Sequence, residues 1–335
     1  MTATLGWGVV GTGDVSRYLS SDLAMLDSAH RVAVSSRSID KADAFARELG
    51  FERGVGSLHE LLSDAAVDMV YVGTPHSTHV DIAVAALEAG KHVLVEKPMG
   101  VDAADVERVA SAARASDRFA MEAMWMKFHP YYRAVLKEVR GGSIGRVQGV
   151  RASFGLPFGE PHSDRWSSER SSSTLLDQGI YPVTFALDVL GGPTAIDARA
   201  RVRDDGVDLT VYATLEFVGG QQAQIAASMV EYIDPSASVN GTEGWITVPA
   251  PFWAGRGFTR HRGSIGEALT APTSVDFDRE GFGYVPMLRA VTETVLAGSK
   301  EHPLHPLSAT AAVAHILDAI RAAAVAHPIS TEIHA

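Results

Sequence analysis

The sequence predicts an α/β protein of two domains: an amino-terminal doubly wound parallel sheet (residues 1–123) and a carboxy-terminal α+β domain (residues 124–335). The chain has 335 residues, and one domain takes up about 100–200 residues. The first part alternates short apolar runs with amphipathic stretches, as the strands and helices of a parallel sheet do. The second part changes to period two, which is typical of a large, open, mostly antiparallel sheet. Another open α/β fold of the flavodoxin type is the alternative for the first domain.

The elements of the first domain follow one another through short loops. A capping-box pattern at Ser57 and Glu60 opens one short helix, Thr78 with Asp81 is interpreted as a second cap, and Gly90 ends the helix that follows. The predicted strands cover residues 6–10, 31–36, 68–72, 92–95 and 119–123, and the longer helices cover residues 15–29, 41–49, 78–89 and 102–116.

The second domain carries the period-two segments, with turn residues at Gly219-Gly220 and Asn240-Gly241. The predicted strands cover residues 146–154, 207–217, 221–230 and 237–248, the predicted helices cover 130–139, 285–297 and 307–326, and a polar loop covers 157–173. An open sheet leaves one face uncovered, and proteins usually bury an apolar face of this kind against a second copy. We therefore expect a homodimer or homotetramer that forms through this sheet.

The composition excludes several classes of function. The chain has 29 basic and 40 acidic residues, a net charge of −11, so a nucleic-acid backbone is a poor partner. It has no cysteine, which excludes disulfides, thiolate zinc sites, iron–sulfur clusters and cysteine nucleophiles. We find neither a secretory signal nor an apolar run of the roughly 18–20 residues that a membrane span needs. We expect a cytoplasmic protein that binds no nucleic acid, membrane or metal.

The turn after the first strand predicts a dinucleotide site. Gly11 allows a tight turn, Gly13 lets the backbone approach a pyrophosphate, and the following helix presents free N–H groups. The pattern is G-x-G-x-x-Ser, so its position after strand one carries most of the signal. An ordinary βα turn is the alternative. The predicted cofactor contacts here are Gly11, Thr12, Gly13, Asp14 and Val15.

The end of the second strand indicates which dinucleotide binds. NAD enzymes usually place a carboxylate there for the ribose hydroxyls, whereas this chain has Ser36, Arg37 and, four residues on, Lys41. A hydroxyl, a guanidinium and an ammonium can hold a 2′-phosphate. We therefore predict NADP, with NAD possible. The alternative is a solvated basic helix start in which Asp40 pairs with either cation.

Two further segments lie at the predicted carboxyl edge of the parallel sheet, where open α/β sheets bind ligands. Thr74, Pro75, His76 and His79 are predicted cofactor contacts, although both histidines also suit loop or cap roles. Glu96 and Lys97, which are also predicted cofactor contacts, end the strand at 92–95 and precede a proline. An ammonium there can stabilise negative charge on a substrate oxygen; the alternative is a surface lysine paired with Glu96.

The segment 175–182 supplies a carboxylate and a phenol. Pro182 suits the first turn of a helix that runs to residue 190, so Asp177 and Tyr181 bracket or begin that helix. A tyrosine beside a cation can act as a general acid or base. A helix-capping Asp and a buried, hydrogen-bonded Tyr are the alternatives.

Taken together, these residues resemble the glucose–fructose oxidoreductase, inositol dehydrogenase and rhizopine-catabolism (Gfo/Idh/MocA) family, almost end to end. Tyr181 and the upstream Glu122-Ala123-Met124-Trp125 resemble its dimeric dihydrodiol dehydrogenase and NADP-linked D-xylose 1-dehydrogenase branch. The resemblance implies Lys97 and Tyr181 as the catalytic pair, with Asp177 as their helper. It also implies a substrate wall from Trp125 and Phe154. The motifs that carry it are residues 90–98, 122–125, 176–181 and 241–244.

The expected function is NADP-dependent hydride transfer at a secondary alcohol or lactol carbon of a sugar or cyclic polyol. The alternatives are a reductase of another keto-sugar or cyclic ketone, of the anhydrofructose or inositol type, and a non-catalytic cofactor-sensing regulator. The chain departs from the branch at Lys127, His129 and Ser172-Ser173. The loop 157–173, with His162, Arg165 and the predicted substrate contact Trp166, should border the substrate.

Overall fold

The structure is a computed structural model that describes residues 4–158, 166–171 and 173–326. The chain divides into two compact units. The first unit ends at Phe128 and is joined by Arg279–Ala311, whereas the second consists of His129–Asp278 and the chain from Ala312 onward. We predicted one domain boundary, between residues 123 and 124, whereas the first unit also includes the later segment Arg279–Ala311.

A six-stranded parallel sheet forms the centre of the first unit, in the order β3-β2-β1-β4-β5-β6. This is the strand order of a dinucleotide-binding sheet, whose order reverses between β1 and β4. Strands β1 and β4 are buried throughout, which explains their continuous apolar runs. The strands are β1 (Leu5–Val10), β2 (Ala29–Ser35), β3 (Arg53–Val55), β4 (Met69–Val72), β5 (His92–Val95) and β6 (Ala120–Glu122).

An eight-stranded sheet forms the second unit, in the order β14-β13-β12-β11-β7-β10-β9-β8. Only β7 and β10 pair in parallel; the other neighbours are antiparallel. The strands are β7 (Val147–Gly155), β8 (Ala195–Val202), β9 (Asp208–Glu216), β10 (Gln222–Ser228), β11 (Ala237–Gly241), β12 (Gly244–Val248), β13 (Gly257–Arg262) and β14 (Thr273–Asp276).

Most helices agree closely with the predicted ones, but the helix predicted over 15–29 ends at Leu23, because the chain turns there before β2. Helix α8 and the strands β3, β8, β13 and β14 were not predicted. The stretch predicted as one strand at 237–248 is two strands, and the chain turns between them at residues 242–243 and not at Asn240-Gly241. The helices are α1 (Asp14–Leu23), α2 (Ile39–Leu49), α3 (Leu58–Leu62), α4 (His79–Glu88), α5 (Ala103–Ser116), α6 (Pro130–Arg140), α7 (Ile180–Leu190), α8 (Ile265–Thr270), α9 (Val285–Leu296) and α10 (Leu307–Ala326).

One face of the eight-stranded sheet is polar. A depression of about 450 Å³ on it is lined by Arg151, Asp197, Arg199 and Tyr212 among others. Tyr212 donates a hydrogen bond to Glu231. The expectation of an apolar face is therefore wrong here, because the outward positions of β7–β10 carry charged and polar side chains.

Helix α10 is the one described helix that is long and apolar enough to cross a membrane, with a mean hydropathy of 1.2 over Leu307–Ala324. From the sequence we expected no apolar run long enough to span a membrane, so α10 was not identified as such a helix. Its buried positions recur every three or four residues, as on a helix that packs one face against a protein core. Those positions are Leu307, Thr310, Val313, Ala314, Leu317, Ile320 and Ala324.

Candidate active site

The turn between β1 and α1 is shaped for close approach. Gly11 has φ of +106°, and a Cβ there would lie 2.4 Å from the carbonyl oxygen of Gly73. Gly13 is the N-cap of α1 and makes no side-chain cap; a Cβ on it would meet no atom within 4 Å. The first N–H groups of α1 therefore face open space, which suits a pyrophosphate. Thr12, Asp14 and Val15 are all at least partly exposed around this turn.

The third position of the fingerprint, Ser16, is buried. Its hydroxyl donates to the carbonyl of Gly73 at 3.3 Å. A Cβ on Gly73 would lie 2.3 Å from the Ser16 Oγ. The serine thus fills the place where the usual fingerprint has its last glycine, and Gly73 makes room for it.

The basic residues after β2 lie at the start of α2. Ser36 is half-buried, and Arg37 and Lys41 are exposed. Ser38 caps α2 by accepting a hydrogen bond from the Lys41 backbone N–H at 3.4 Å. In the described part of the chain, no ion pair joins either cation to Asp40. The alternative in which Asp40 neutralises them is not what the structure shows.

The loop after β4 forms one short turn before α4. His76 is half-buried. The Thr78 hydroxyl lies 2.8 Å from both the Pro75 carbonyl and the Thr74 hydroxyl, and Thr78 makes no side-chain cap. The predicted cap of α4 by Thr78 is therefore wrong, because the hydroxyl is bonded back into its own loop.

His79 is fully buried. Its Nδ1 lies 2.8 Å from the carbonyl oxygen of Pro98, and its Nε2 lies 2.7 Å from that of Thr74. Burial lowers the pKa of His79, and the two carbonyls oppose that shift. Neither ring nitrogen is left for a ligand, so the predicted cofactor contact does not fit. His79 instead ties the loop after β4 to the loop after β5.

Lys97 follows the end of β5 and is half-buried. Its backbone N–H donates to Glu96 Oε2 at 3.0 Å, and the peptide bond to Pro98 is cis. Glu96 Oε1 accepts a hydrogen bond from the Tyr71 hydroxyl at 2.9 Å. Burial raises the pKa of Glu96 to about 7, and burial next to Glu96 raises the pKa of Tyr71 well above its usual range.

Glu122, at the end of β6, also hydrogen-bonds the loop after β5 that carries Lys97. Its Oε1 accepts from the backbone N–H of Met99 at 2.9 Å. Its Oε2 lies 3.0 Å from His305 Nε2, and both side chains are buried. His305 belongs to the segment Arg279–Ala311, which therefore contributes to the support of the Lys97 loop.

The same segment also places an aromatic ring beside a predicted substrate contact. Trp125 stacks on Tyr284, with ring centroids 4.8 Å apart and planes at 23°. The buried carboxylate of Asp22, on α1, accepts from the backbone N–H groups of Phe282 and Tyr284, each at 2.7 Å. Asp22 thereby fixes the start of α9 and the position of Tyr284.

In the second unit, Tyr181 lies in an aromatic cluster that we define as Phe154, Tyr181 and Trp253. Phe154 and Trp253 stack at 3.5 Å with planes at 6°. The Tyr181 ring lies 5.8 Å from Phe154 and 5.9 Å from Trp253. The predicted substrate contact Phe154 therefore lies beside Tyr181, and Trp253 is a third ring of this cluster that sequence reasoning missed.

The residues before Tyr181 form one wide π-helical turn, Leu175–Gly179, that leads into α7. Asp177 is half-buried. The buried Asp208 accepts from the Leu175 N–H at 2.7 Å, and burial raises the pKa of this carboxyl. Asp208 anchors the turn, as an N-cap would, so that Asp177 lies just before α7 and Tyr181 lies in its first turn.

Trp166 is half-buried, and its indole N–H donates to the Phe158 carbonyl at 2.7 Å. Its polar edge is thus bonded within its own loop. His162, Arg165 and Ser172 lie outside the described residues. Among the residues that the structure describes, no group of three or more His, Asp or Glu side chains could hold a metal ion.

Comparison with known proteins gives a consistent result. Two family models match: the oxidoreductase family with an NAD-binding Rossmann fold over residues 5–123, and the GFO/IDH/MocA C-terminal domain over residues 132–247. The trans-1,2-dihydrobenzene-1,2-diol dehydrogenase of Sus scrofa is 34% identical over 325 residues, which is 95% of this chain and 96% of the relative. The human enzyme of the same name is 34% identical over 326 residues, with the same coverage.

Solved structures agree with this fold. KijD10, a 3-ketoreductase from Actinomadura kijaniata in complex with NADP and TDP-benzene, superposes with a TM-score of 0.87 at 27% identity, covering 97% of this chain and 99% of that chain. The aldose-aldose oxidoreductase of Caulobacter crescentus gives a TM-score of 0.86 at 24% identity over 96% and 98% of the two chains, and supports the fold alone. The chain thus belongs to the GFO/IDH/MocA family and is an oxidoreductase that acts on CH–OH groups.

Proposed function

We propose that this chain is an NADP-dependent dehydrogenase that oxidises a secondary alcohol or lactol carbon of a sugar or cyclic polyol, with trans-dihydrodiols and D-xylose as the first substrates to test. The aromatic cluster around Tyr181 carries the proposal. A phenol set against two stacked aromatic faces suits a flat ring that presents its hydroxyl to the phenol. The dihydrodiol dehydrogenase relatives support this substrate class.

The residues at the β1–α1 turn and after β2 fit NADP. The exposed N-terminus of α1 suits the pyrophosphate, and Gly13 leaves the approach open. Arg37 and Lys41, which have no ion pair with Asp40, suit a 2′-phosphate. The NADP complex of the 27% identical 3-ketoreductase supports the same choice of cofactor.

We propose the following roles for the chain's own residues. NADP, when bound, supplies the nicotinamide that takes the hydride from the carbinol carbon. Tyr181 removes the hydroxyl proton as its phenolate, and the C–O bond gains its double-bond character as hydride and proton leave. The Lys97 ammonium stabilises the phenolate and the developing charge on the substrate oxygen. Asp177 orients the substrate. In the reductive direction the Tyr181 phenol returns the proton.

The test is the absorbance of reduced nicotinamide with NADP⁺ and a panel of trans-dihydrodiols, pentoses, hexoses and inositols. Lys97→Ala and Tyr181→Phe should each lower kcat by about 10²–10⁴, the range of general acid–base groups. Lys137→Ala, at an exposed position on α6, and Tyr132→Phe are the matched controls. Full turnover in Lys97→Ala would refute the assignment, and no turnover of any substrate would favour the cofactor-sensing regulator.

Reduction of a keto-sugar is the second candidate function, favoured by the structural match to a 3-ketoreductase. The same residues would serve it, with the Tyr181 phenol as the acid. Oxidation of NADPH by cyclic ketones such as keto-sugars, at a kcat/KM above that of every alcohol in the panel, would select this direction.

We also propose that the chain acts in the cytoplasm as a homodimer or homotetramer formed through the eight-stranded sheet. Acidic and basic side chains alternate on its polar face, such as Asp197 and Arg199 on β8. A two-fold interface can pair such charges with their copies. Light scattering coupled to size exclusion should give twice or four times the 35.6 kDa of one chain; a monomeric mass would contradict the proposal.

A further inference from the structure

Tyr71 is a buried tyrosine that no step of the proposed mechanism uses. It lies on β4, which pairs in parallel with β5 so that Val72 is opposite Val95. This register places the Tyr71 hydroxyl 2.9 Å from Glu96 Oε1, and Glu96 Oε2 accepts from the Lys97 backbone N–H at 3.0 Å. Each oxygen of the carboxylate therefore has one partner.

The other side of Tyr71 leads to the dinucleotide turn. A Cβ on Gly73 would lie 2.3 Å from the Ser16 Oγ and 2.7 Å from Cε1 of Tyr71, so both side chains border the same space, and Ser16 lies in the first turn of α1, whose N-cap is Gly13. The hydrogen-bonded series itself runs from Tyr71 to Glu96 and ends at the backbone of Lys97. Tyr71 thus lies between the turn proposed for the pyrophosphate and the proposed catalytic lysine.

Three charged or titratable groups face Glu96: Tyr71 from β4, Lys97 from its own loop and Glu122 from β6. Burial raises the pKa of Glu96 to about 7, Glu122 raises it further, and Lys97 and Tyr71 act in the opposite direction. The carboxyl therefore changes its charge near neutral pH, next to the lysine.

We propose that Tyr71 is a positioning residue that acts through Glu96: its hydroxyl fixes the carboxylate, and the carboxylate in turn fixes the loop and the electric field at Lys97. This inference rests on the role of Lys97 under the proposed function. Loss of the Tyr71 hydroxyl removes a donor that favours the charged carboxylate, so Glu96 should remain protonated to higher pH.

The test observes Lys97 directly, in the full chain without added cofactor. The chain has six lysines, and reductive ¹³C-methylation gives each a resolvable NMR signal. The signal of Lys97 is assigned by its absence in Lys97→Arg. We expect this signal to show an inflection near neutral pH that reports Glu96. Tyr71→Phe should move the inflection upward by about one pH unit, the effect of one hydrogen bond to a charged group.

Glu96→Gln should abolish the inflection. Tyr132→Phe is the matched control, because Tyr132 is also buried and donates to a carboxylate, Asp188 Oδ2, at 2.7 Å; it should leave the inflection in place. An inflection that persists in Glu96→Gln, or that does not move in Tyr71→Phe, would overturn the inference. If Tyr71→Phe does not fold, uniform labelling with 3-fluorotyrosine, whose hydroxyl is a stronger donor, should instead move the inflection downward, because the Tyr71 hydroxyl donates to Glu96 Oε1; an unmoved inflection there would count against the proposal.

Activity provides the second readout. Tyr71→Phe should lower kcat about tenfold and shift its pH profile in step with the NMR inflection, with KM for the substrate changed less than about twofold. A uniform loss at every pH would indicate a structural role only. Loss of turnover in Lys97→Ala together with an unmoved inflection in Tyr71→Phe refutes this inference alone. Full turnover in Lys97→Ala refutes the proposed function instead.

Discussion

Replacing Glu96 with glutamine should change how the stability of the protein depends on pH. Glu96 is 7% exposed, and burial raises the pKa of its carboxyl from 4.5 to about 7. A carboxyl whose pKa is higher in the folded state favours folding when protonated. The contribution of Glu96 to the free energy of unfolding is complete below the unfolded-state pKa of 4.5. It is lost as the pH rises through about 7.

The magnitude follows from the shift. Each pKa unit corresponds to about 1.4 kcal/mol, so a rise from 4.5 to about 7 makes the fold less stable by up to about 3 kcal/mol between acidic and alkaline pH. Glutamine has nearly the same shape and does not titrate. Any hydrogen bond that it makes less well to Tyr71 or to the Lys97 N–H costs the same at every pH and cancels when two pH values are compared.

The assay is urea unfolding of the native chain and Glu96→Gln at pH 4.5 and pH 8. The difference in the free energy of unfolding, variant minus native, should become about 3 kcal/mol more favourable to the variant at pH 8. Glu88→Gln, at an exposed position on α4, corrects for the loss of one carboxylate from the chain. A difference for Glu96→Gln that is the same at both pH values would refute the reasoning.

Three other perturbations test separate parts of the site. Arg37→Ser combined with Lys41→Ser should raise KM for NADP⁺ about 10- to 100-fold and leave KM for NAD⁺ unchanged, because only NADP carries the 2′-phosphate; steady-state kinetics with both cofactors decide it, and an equal loss for both would contradict the assignment. Trp253→Leu removes the ring that stacks on Phe154 at 3.5 Å and should raise KM for ring substrates about tenfold, with an unchanged KM counting against a substrate wall. Gly73→Ala places a Cβ 2.3 Å from the Ser16 Oγ and should lower the melting temperature by several degrees and kcat together; wild-type values for both would show that the turn adapts.

The first unit was predictable because its signals are local. Buried parallel strands have continuous apolar runs, and glycine, proline and cap residues separate them from the helices. Asp102, for example, caps α5 by accepting from the Asp105 N–H at 2.8 Å. Strand β3 has only three residues, Arg53–Val55, and its pairing with β2 is set by tertiary contacts that no short window contains.

The residues that were missed depend on contacts between distant parts of the chain. Trp253 follows a turn with no periodic signal, and only its stacking on Phe154 reveals it. Tyr71 has the appearance of one more apolar strand residue until the register of β4 and β5 brings it to Glu96, 25 positions away. His305 reaches Glu122 across 183 positions. A single sequence carries no pairwise information at such separations.

Ser16, the last residue of the G-x-G-x-x-Ser fingerprint, shows how a local sequence motif and contacts between distant residues depend on each other. In the sequence alone, Ser16 replaces the last glycine of the G-x-G-x-x-G fingerprint and so weakens that motif. In the fold, its hydroxyl donates to the Gly73 carbonyl and borders the same space as the Tyr71 ring. The Tyr71 hydroxyl donates to Glu96, and Glu96 accepts from the backbone N–H of Lys97. Because interiors are close-packed, these side chains must match in size and bonding. We therefore expect a change in the size of the side chain at position 16 to shift Tyr71 as well as the cofactor turn. Through Glu96, such a shift would also move the backbone of Lys97.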